Sequence, residues 1–272
     1  VNIAVVTVVS GRHEHLAGQL RGLAESSPAP WLHVVVAMGD DAIADVVAES
    51  GSDATVVSVD APRPRLPIAH ARNTGATTAI EAGADVLVFL DVDCIPGTDM
   101  LRRYADAARS HGHYLLCGPV TYLPPKDGPW ATDELVANTR PHTARPDPLP
   151  GIVEEGDNYD LFWSLSFGVT PTTWASIGGF FEGYSGYGGE DTDFAATARA
   201  AGVGLGWVGG AHAYHQHHPV SSPPVEHLDD IVRNSAVFHR RWNRWPMEAW
   251  LTEFERRGLI TRTQAGTISR IH

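Results

Sequence analysis

A chain of 272 residues with 32 acidic and 20 basic side chains carries a formal net charge of -12, and nearly all of its positive charge is arginine. That balance argues against a broad nucleic-acid surface, which needs clustered Lys and Arg against phosphates. No apolar run is long enough to be a transmembrane helix, and the length suits one large globular domain or one domain with an appendage.

The chain starts at Val1 without an initiator Met, which reads as a processed or trimmed end, and no signal peptide precedes the first strand. The expected compartment is therefore the cytoplasm, with peripheral membrane contact left open. Cys94 and Cys117 sit in apolar, strand-like contexts and read as small core residues in a reducing compartment, a disulfide between them being left open.

Asn2 to Val9 is an apolar run that predicts a buried strand, closed by Ser10-Gly11-Arg12. Leu16, Leu20 and Leu23 then recur at helical spacing between His13 and Ala24. Leu32 to Met38 predicts a second strand ending at Gly39-Asp40-Asp41, Ala42 to Glu49 a helix, and Ala54 to Val59 a third strand. A Pro-rich link from Asp60 to Pro67 leads to a helix from about Ile68 to Ala82. Strands and helices alternating at this pace predict a parallel, doubly wound sheet with right-handed crossovers. Neither a G-x-G-x-x-G fingerprint nor a P-loop follows the first strand, so any nucleotide is held in another way.

Val86 to Leu90 is too short for a helix and apolar throughout, the pattern of a strand buried on both faces. Asp91 and Asp93 stand at its carboxyl end, where open α/β sheets bind ligands. Residues two apart point the same way, so both carboxylates can face one hard cation, Mg2+ or Mn2+, which in turn grips a diphosphate. A lone D-x-D also arises by chance among nineteen aspartates, and Asp191/Asp193 repeats the spacing.

A helix from Met100 to His111 and a strand from Tyr114 to Val120 follow. Leu123 to Asp160 is rich in Pro, Asp and Gly and lacks periodicity, which fits a loop closing over substrate and equally a solvated excursion. Leu161 to Thr170 resumes an apolar strand, and Pro171 to Ile177 is a short helix begun by Pro. The stretch Gly179 to Phe194 combines dense glycine with Glu190, Asp191 and Asp193 in the first turn of a helix running to Ala201. Those acids suit a helix N-terminus as readily as a ligand site.

After a strand at Gly204 to Val208, four histidines fall within His212 to His218. The H-x-x-H spacing can bind metal, although no Cys pair or H-E-x-x-H accompanies it. Val225 to Trp242 and Met247 to Arg257 predict amphipathic tail helices whose Arg-bearing faces are solvated or meet a partner or membrane surface.

Four motifs together resemble the GT-A glycosyltransferases, in particular family 2 with a galactosyltransferase-like C-terminal segment. They are Val9-Ser10-Gly11-Arg12, Ala71-Arg72-Asn73-Thr74-Gly75, Asp91-Val92-Asp93, and Gly186-Tyr187-Gly188-Gly189-Glu190-Asp191 followed by Tyr214-His215-Gln216. The resemblance covers residues 2 to 219. It implies a GT-A (Rossmann-like), mostly parallel central sheet flanked by helices, with a C-terminal helical extension. Residues 1–220 are then the catalytic domain, nucleotide-sugar half about 1–120 and acceptor half about 121–220, and 221–272 the extension.

By resemblance, Asp40, Ser10 and Arg12 match the base pocket of a UDP-sugar, Arg72 the residue near its phosphates or ribose, and Asp91 the ribose side with a share in the metal. Asp93 and His215 match protein ligands to the cation, Asp191 the base, and Glu190 a residue that binds the acceptor or orients the loop. No aromatic stands near Gly11 to stack on the base.

The implied activity is an inverting, metal-dependent transfer from a nucleotide-sugar donor, UDP-linked, to a carbohydrate, lipid-linked or small-molecule acceptor. A retaining transferase would not need Asp191 as base, and a sugar nucleotidyltransferase usually carries a basic loop where this chain has only Arg12. A non-catalytic carbohydrate-binding module is the non-enzyme alternative. Trp130, Trp163, Tyr184 and Tyr187 are candidate platforms for sugar rings, with core packing as the other account.

Overall fold

The computed structural model describes every residue except Arg63, Val220, Gln264, Ala265 and His272. The first half follows the expected alternation: β1 (Ile3–Val9), α1 (His13–Ala24), β2 (Leu32–Met38), α2 (Ala42–Glu49), β3 (Thr55–Val59), α3 (Ile68–Ala82) and β4 (Val86–Leu90). Next come β5 (Cys94–Pro96), α4 (Met100–Ser110), β6 (Tyr114–Cys117), β7 (Val120–Tyr122), α5 (Thr132–Ala137) and β8 (Val153–Gly156). The second half adds β9 (Ser166–Val169), α6 (Pro171–Ile177), α7 (Glu190–Ala200), β10 (Gly204–Val208) and β11 (Ala213–His215). The tail holds α8 (Leu228–Trp242), α9 (Glu248–Arg256) and a hairpin of β12 (Ile260–Arg262) and β13 (Ile268–Arg270).

Eight strands form the main sheet in the order β3-β2-β1-β4-β9-β6-β10-β8. Every residue of β1 and β4 is buried, as continuous apolar runs require of strands covered on both faces. Alternate residues divide between the layers. Ala4, Val6, Leu87 and Phe89 pack with α3, Trp174 and Phe194, while Ile3, Val5, Val86 and Val88 pack with α4. Helix α3 lies close to the sheet because Gly75 has no side chain: a Cβ there would stand 2.4 Å from Val6.

The sheet is mixed and mostly parallel, as the resemblance implied, and two strands depart from the parallel alternation of the first half. β9 runs antiparallel between β4 and β6, and β8 antiparallel to β10 at the edge. A strand buried on both faces has the same composition in either direction, and direction is set by the connection. Here the connection from β6 into β9 contains β7, the six-residue α5, the edge strand β8 and a 3-10 turn at Tyr159–Leu161 rather than a crossover helix.

The strand expected at Tyr114 to Val120 breaks at Gly118-Pro119. Pro119 has no N–H to give a ladder, and the Gly118 N–H takes the Tyr104 hydroxyl instead. The chain leaves the main sheet there and enters a second sheet of order β5-β11-β7. Cys94 and Cys117 are buried free thiols. Among the described residues no helix is long and apolar enough to cross a membrane.

One buried polar chain supports the site from below. The Thr7 hydroxyl donates to Gln19 Oε1 at 2.8 Å and so accepts from His33 Nε2 at 3.1 Å. Burial lowers the His33 pKa to about 4. The unfolded chain therefore takes up a proton near pH 6.5 that the folded chain refuses until about pH 4, and stability drains away as pH falls through that window. The full effect is about 3 kcal/mol. Urea midpoints measured from pH 7 to 4 are expected to fall less steeply for His33→Gln than for the parent, and equal slopes would contradict the assignment.

Candidate active site

The carboxyl ends of β1, β2 and β4 carry the first group of residues. Gly11 and Arg12 are both left-handed, with φ of 63° and 54°. A left-handed arginine is unusual and costs backbone energy. This turn presents the Gly11 N–H to Asp40 Oδ2 at 2.6 Å, with Ser10 directly before it at the end of β1. His13 Nε2 meets the same oxygen at 2.9 Å, and that hydrogen bond, with the Gly11 N–H, holds the Asp40 carboxyl below its usual range. Ser10, Gly11, Arg12 and Asp40 thus form one rim.

Arg12 also reaches Asp93, Nη1 to Oδ2 at 3.2 Å. The turn that carries Asp93 is held by Gln19, fully buried on α1, which donates to the Asp91 and Cys94 carbonyls at 2.7 and 3.1 Å. From the other side the Gln216 N–H donates to the Asp93 carbonyl at 2.7 Å.

The second sheet decides which imidazole meets Asp93. Its register sets His215 opposite Cys94 and beside Tyr122. His215 Nε2 lies 3.5 Å from Asp93 Oδ1, and His218 Nε2 lies 3.5 Å from Asp93 Oδ2. One ligand atom from each of the three residues falls within 4.8 Å of the others. Burial alone would raise Asp93, but His218, His215 and Arg12 outweigh it and hold the carboxyl down to about 2. Burial lowers the His215 pKa, keeping its ring neutral and able to ligate. One carboxylate and two imidazoles fit a divalent cation with some affinity for nitrogen, Mn2+ better than Mg2+. Sequence reasoning placed His215 here and missed His218, although the H-x-x-H spacing contained it.

Asp91, the other carboxylate of the pair, is not part of that cluster. Its Oδ1 accepts from Arg72 Nη2 at 2.9 Å, and Arg72 Nη1 donates to Glu190 Oε1 at 3.2 Å. The Arg72 side chain, expected near the donor phosphates or ribose, is 5% exposed and spends its guanidinium on these two carboxylates. It thereby joins two carboxylates a hundred residues apart. Burial raises Asp91 to about 6 and Glu190 to about 7 in spite of Arg72. Asp191 is near enough for its charge to contribute to both shifts, and burial raises its own pKa. Its Oδ1 accepts from the Thr192 N–H and hydroxyl at 2.7 and 3.2 Å, while Oδ2 accepts no hydrogen bond among the described residues.

Asn73 donates to the Phe180 carbonyl and accepts its N–H, both at 2.8 Å, which fixes the start of the Gly-rich loop. Tyr184 is 4% exposed and donates to Asp193, so it is core rather than an open platform. Tyr187 stacks on His227, ring centroids 4.3 Å apart. Trp163 packs edge-on against His142, and Trp130 lies under Lys126.

Residues 155–219 match the family model described as the N-terminal domain of galactosyltransferase, a span that includes the Gly-rich loop and both histidines. No curated protein matches the chain in sequence. Among solved structures it superposes on S. aureus TarS 1-349 with a TM-score of 0.59 at 13% identity, over 88% of this chain and 64% of that one. GalNAc-T7 with UDP, GalNAc and Mn2+ gives 0.56 at 11% identity, over 94% and 56%. The mannosyltransferase PcManGT from Pyrobaculum calidifontis with GDP-Man and Mn2+ gives 0.56 at 14%, over 92% and 67%.

The chain has the GT-A glycosyltransferase fold. The mixed eight-stranded sheet is the GT-A core, and the acidic clusters on β4 and α7 face each other across its carboxyl edge. This GT-A chain spans about three-fifths of the length of the TarS structure it matches.

Proposed function

We propose that the chain is an inverting, metal-dependent glycosyltransferase that moves a sugar from a UDP-linked donor to an acceptor hydroxyl. The observation that carries this reading is the Arg72 bridge. It draws Asp91, at the donor end of the sheet, and Glu190, beside Asp191, into one buried network next to the Asp93, His215 and His218 cluster. TarS has been solved with UDP-GlcNAc, GalNAc-T7 with UDP and Mn2+, and PcManGT with GDP-Man and Mn2+, which supports a nucleotide-sugar donor and a manganese-type cation.

In this reading residues 1–120 hold the nucleotide and 121–220 the acceptor, with 221–272 as an extension. Ser10, Arg12 and Asp40 line the base side, and Asp91, held by Arg72, faces the ribose. Asp93, His215 and His218 would hold the cation. That cation, when bound, stabilises the diphosphate leaving group as a Lewis acid. Asp191 takes the proton from the incoming hydroxyl, and its raised pKa makes it a stronger base than an exposed aspartate. A single carboxylate acting as base, with no second one acting as nucleophile, gives displacement with inversion. The acceptor is a carbohydrate, a lipid-linked sugar or a small molecule.

The test is calorimetry of UDP with Mn2+ beside a turnover screen of nucleotide sugars. Asp93→Ala is expected to abolish Mn2+-dependent UDP binding, and His218→Gln to weaken it by about 10-fold, within the range for a lost metal-site partner. Unchanged binding in both variants would move the cation elsewhere. A product anomer matching that of the donor would replace inversion with retention.

A further inference from the structure

The loop from Gly183 to Gly189, which delivers Glu190 and Asp191, lies outside the strands and helices, and Gly186, Gly188 and Gly189 in it have positive φ. Glycine makes that path sterically open without making it unique, so something else must fix it. Asn73 holds only the start of this region, at Phe180.

The Gly186 N–H donates to the Leu66 carbonyl at 3.1 Å, and the other holds on the loop come from α8, from beyond the segment the sequence assigned to the site. Asn234 is fully buried, and its Nδ2 lies 2.7 Å from the Gly188 carbonyl and 3.2 Å from those of Ser185 and Tyr187. Three carbonyls around one atom settle which end of the amide is the NH2 group. One turn earlier, Asp230 Oδ2 accepts the Tyr187 N–H at 3.2 Å, and Arg233 donates to the Ser185 carbonyl and to Asp230. Positions 230, 233 and 234 share one helix face. At the far end of α8, Arg241 Nε and Trp242 Nε1 donate to Asp193 Oδ1 at 2.7 and 2.6 Å, joined by the Tyr184 hydroxyl at 3.1 Å. The helix therefore grips the loop before Asp191 and the helical turn after it.

We infer that Asn234 is a positioning residue for Asp191, and that α8 is a working part of the site rather than an appendage. The inference rests on the reading of Asp191 as base, since it names what holds that base in place. Asn234 touches neither donor nor acceptor in this scheme. It acts through the backbone of residues 185–189, where two donated hydrogen bonds select one path among those that glycine permits.

The test uses the full chain with Asn234→Ala, and Asp230→Ala as a second, more exposed variant. Hydrogen exchange across 184–192 is expected to rise at least 10-fold in Asn234→Ala while β1 and β4 keep their protection. In the active enzyme kcat is expected to fall about 100-fold, with the donor KM and Mn2+-UDP affinity unchanged. A purely stabilising contact would lower melting temperature without that split. Parent-like exchange across the loop, or faster exchange with unchanged kcat, overturns the inference. If Asn234→Ala does not fold, Asp230→Ala decides through the same two readouts. Should the parent show no transfer with any nucleotide sugar, the functional reading fails by itself, and the exchange arm still reports whether α8 orders the loop.

Discussion

Asp191→Asn is expected to lose about 10²- to 10⁴-fold in turnover, the range for removing a general base, while binding UDP and Mn2+ as the parent does. The two halves of that result have separate structural causes. The residues proposed to hold the donor, Asp40, Asp91, Asp93, His215 and His218, make no hydrogen bond to Asp191. The amide also preserves the oxygen that accepts from Thr192, so the first turn of α7 keeps its geometry. What it removes is the charge on an oxygen that has no other hydrogen-bonding task. Comparing kcat with the calorimetric affinity separates the two effects, and a loss of UDP affinity equal to the loss of turnover would assign Asp191 to the donor instead.

Arg72→Leu is expected to cost about 3–5 kcal/mol of folding stability, the range for removing one partner of a buried ion pair. The variant leaves Asp91 and Glu190 facing each other with no cation between them. Both already have pKa values raised by burial, to about 6 and about 7, with Arg72 holding them down. Without it they rise further, and the folded variant must either hold an unpaired charge or bind a proton. The cost is therefore greatest above pH 7, where both would be ionised. It shrinks as pH falls toward 5, because the carboxyls protonate in parent and variant alike. Urea unfolding at pH 5 and pH 8 checks the sign. Equal deficits at the two pH values would mean that packing of the guanidinium on Phe180, 5.1 Å from its ring centroid, matters more than charge.

The parts of the site legible in the sequence are those in which local chemistry and position agree. A five-residue apolar run ending in two aspartates marks β4 and its functional end, because burial on both faces leaves no polar alternation to confuse with a helix. The A-R-N-x-G motif was visible as a pattern, but its physics was not. Arg72 is an ion-pair bridge, Asn73 a backbone clamp and Gly75 a close contact, and each of these depends on a partner distant in the chain. His218 was hidden because four neighbouring histidines look alike until a strand register chooses among them. The strands β5, β7 and β11 are three residues each, too short for a period-two pattern to stand out. The tail reads as two amphipathic helices with solvated, partner-facing or membrane-facing arginines, and Asn234 gives no signal, since a single buried amide in an amphipathic helix has no spacing to betray it.

The ladder between β5 and β11 has a consequence for assembly. It is only three residue pairs long, yet it brings position 94 against position 215. Closing so long a stretch of backbone is entropically slow to reward. Strands β1 to β4 can associate early through near neighbours, whereas the imidazoles arrive only when β11 docks. A partly folded chain would thus display its aspartates without their nitrogen partners, and an ion bridging the two would act as a latch on the finished molecule.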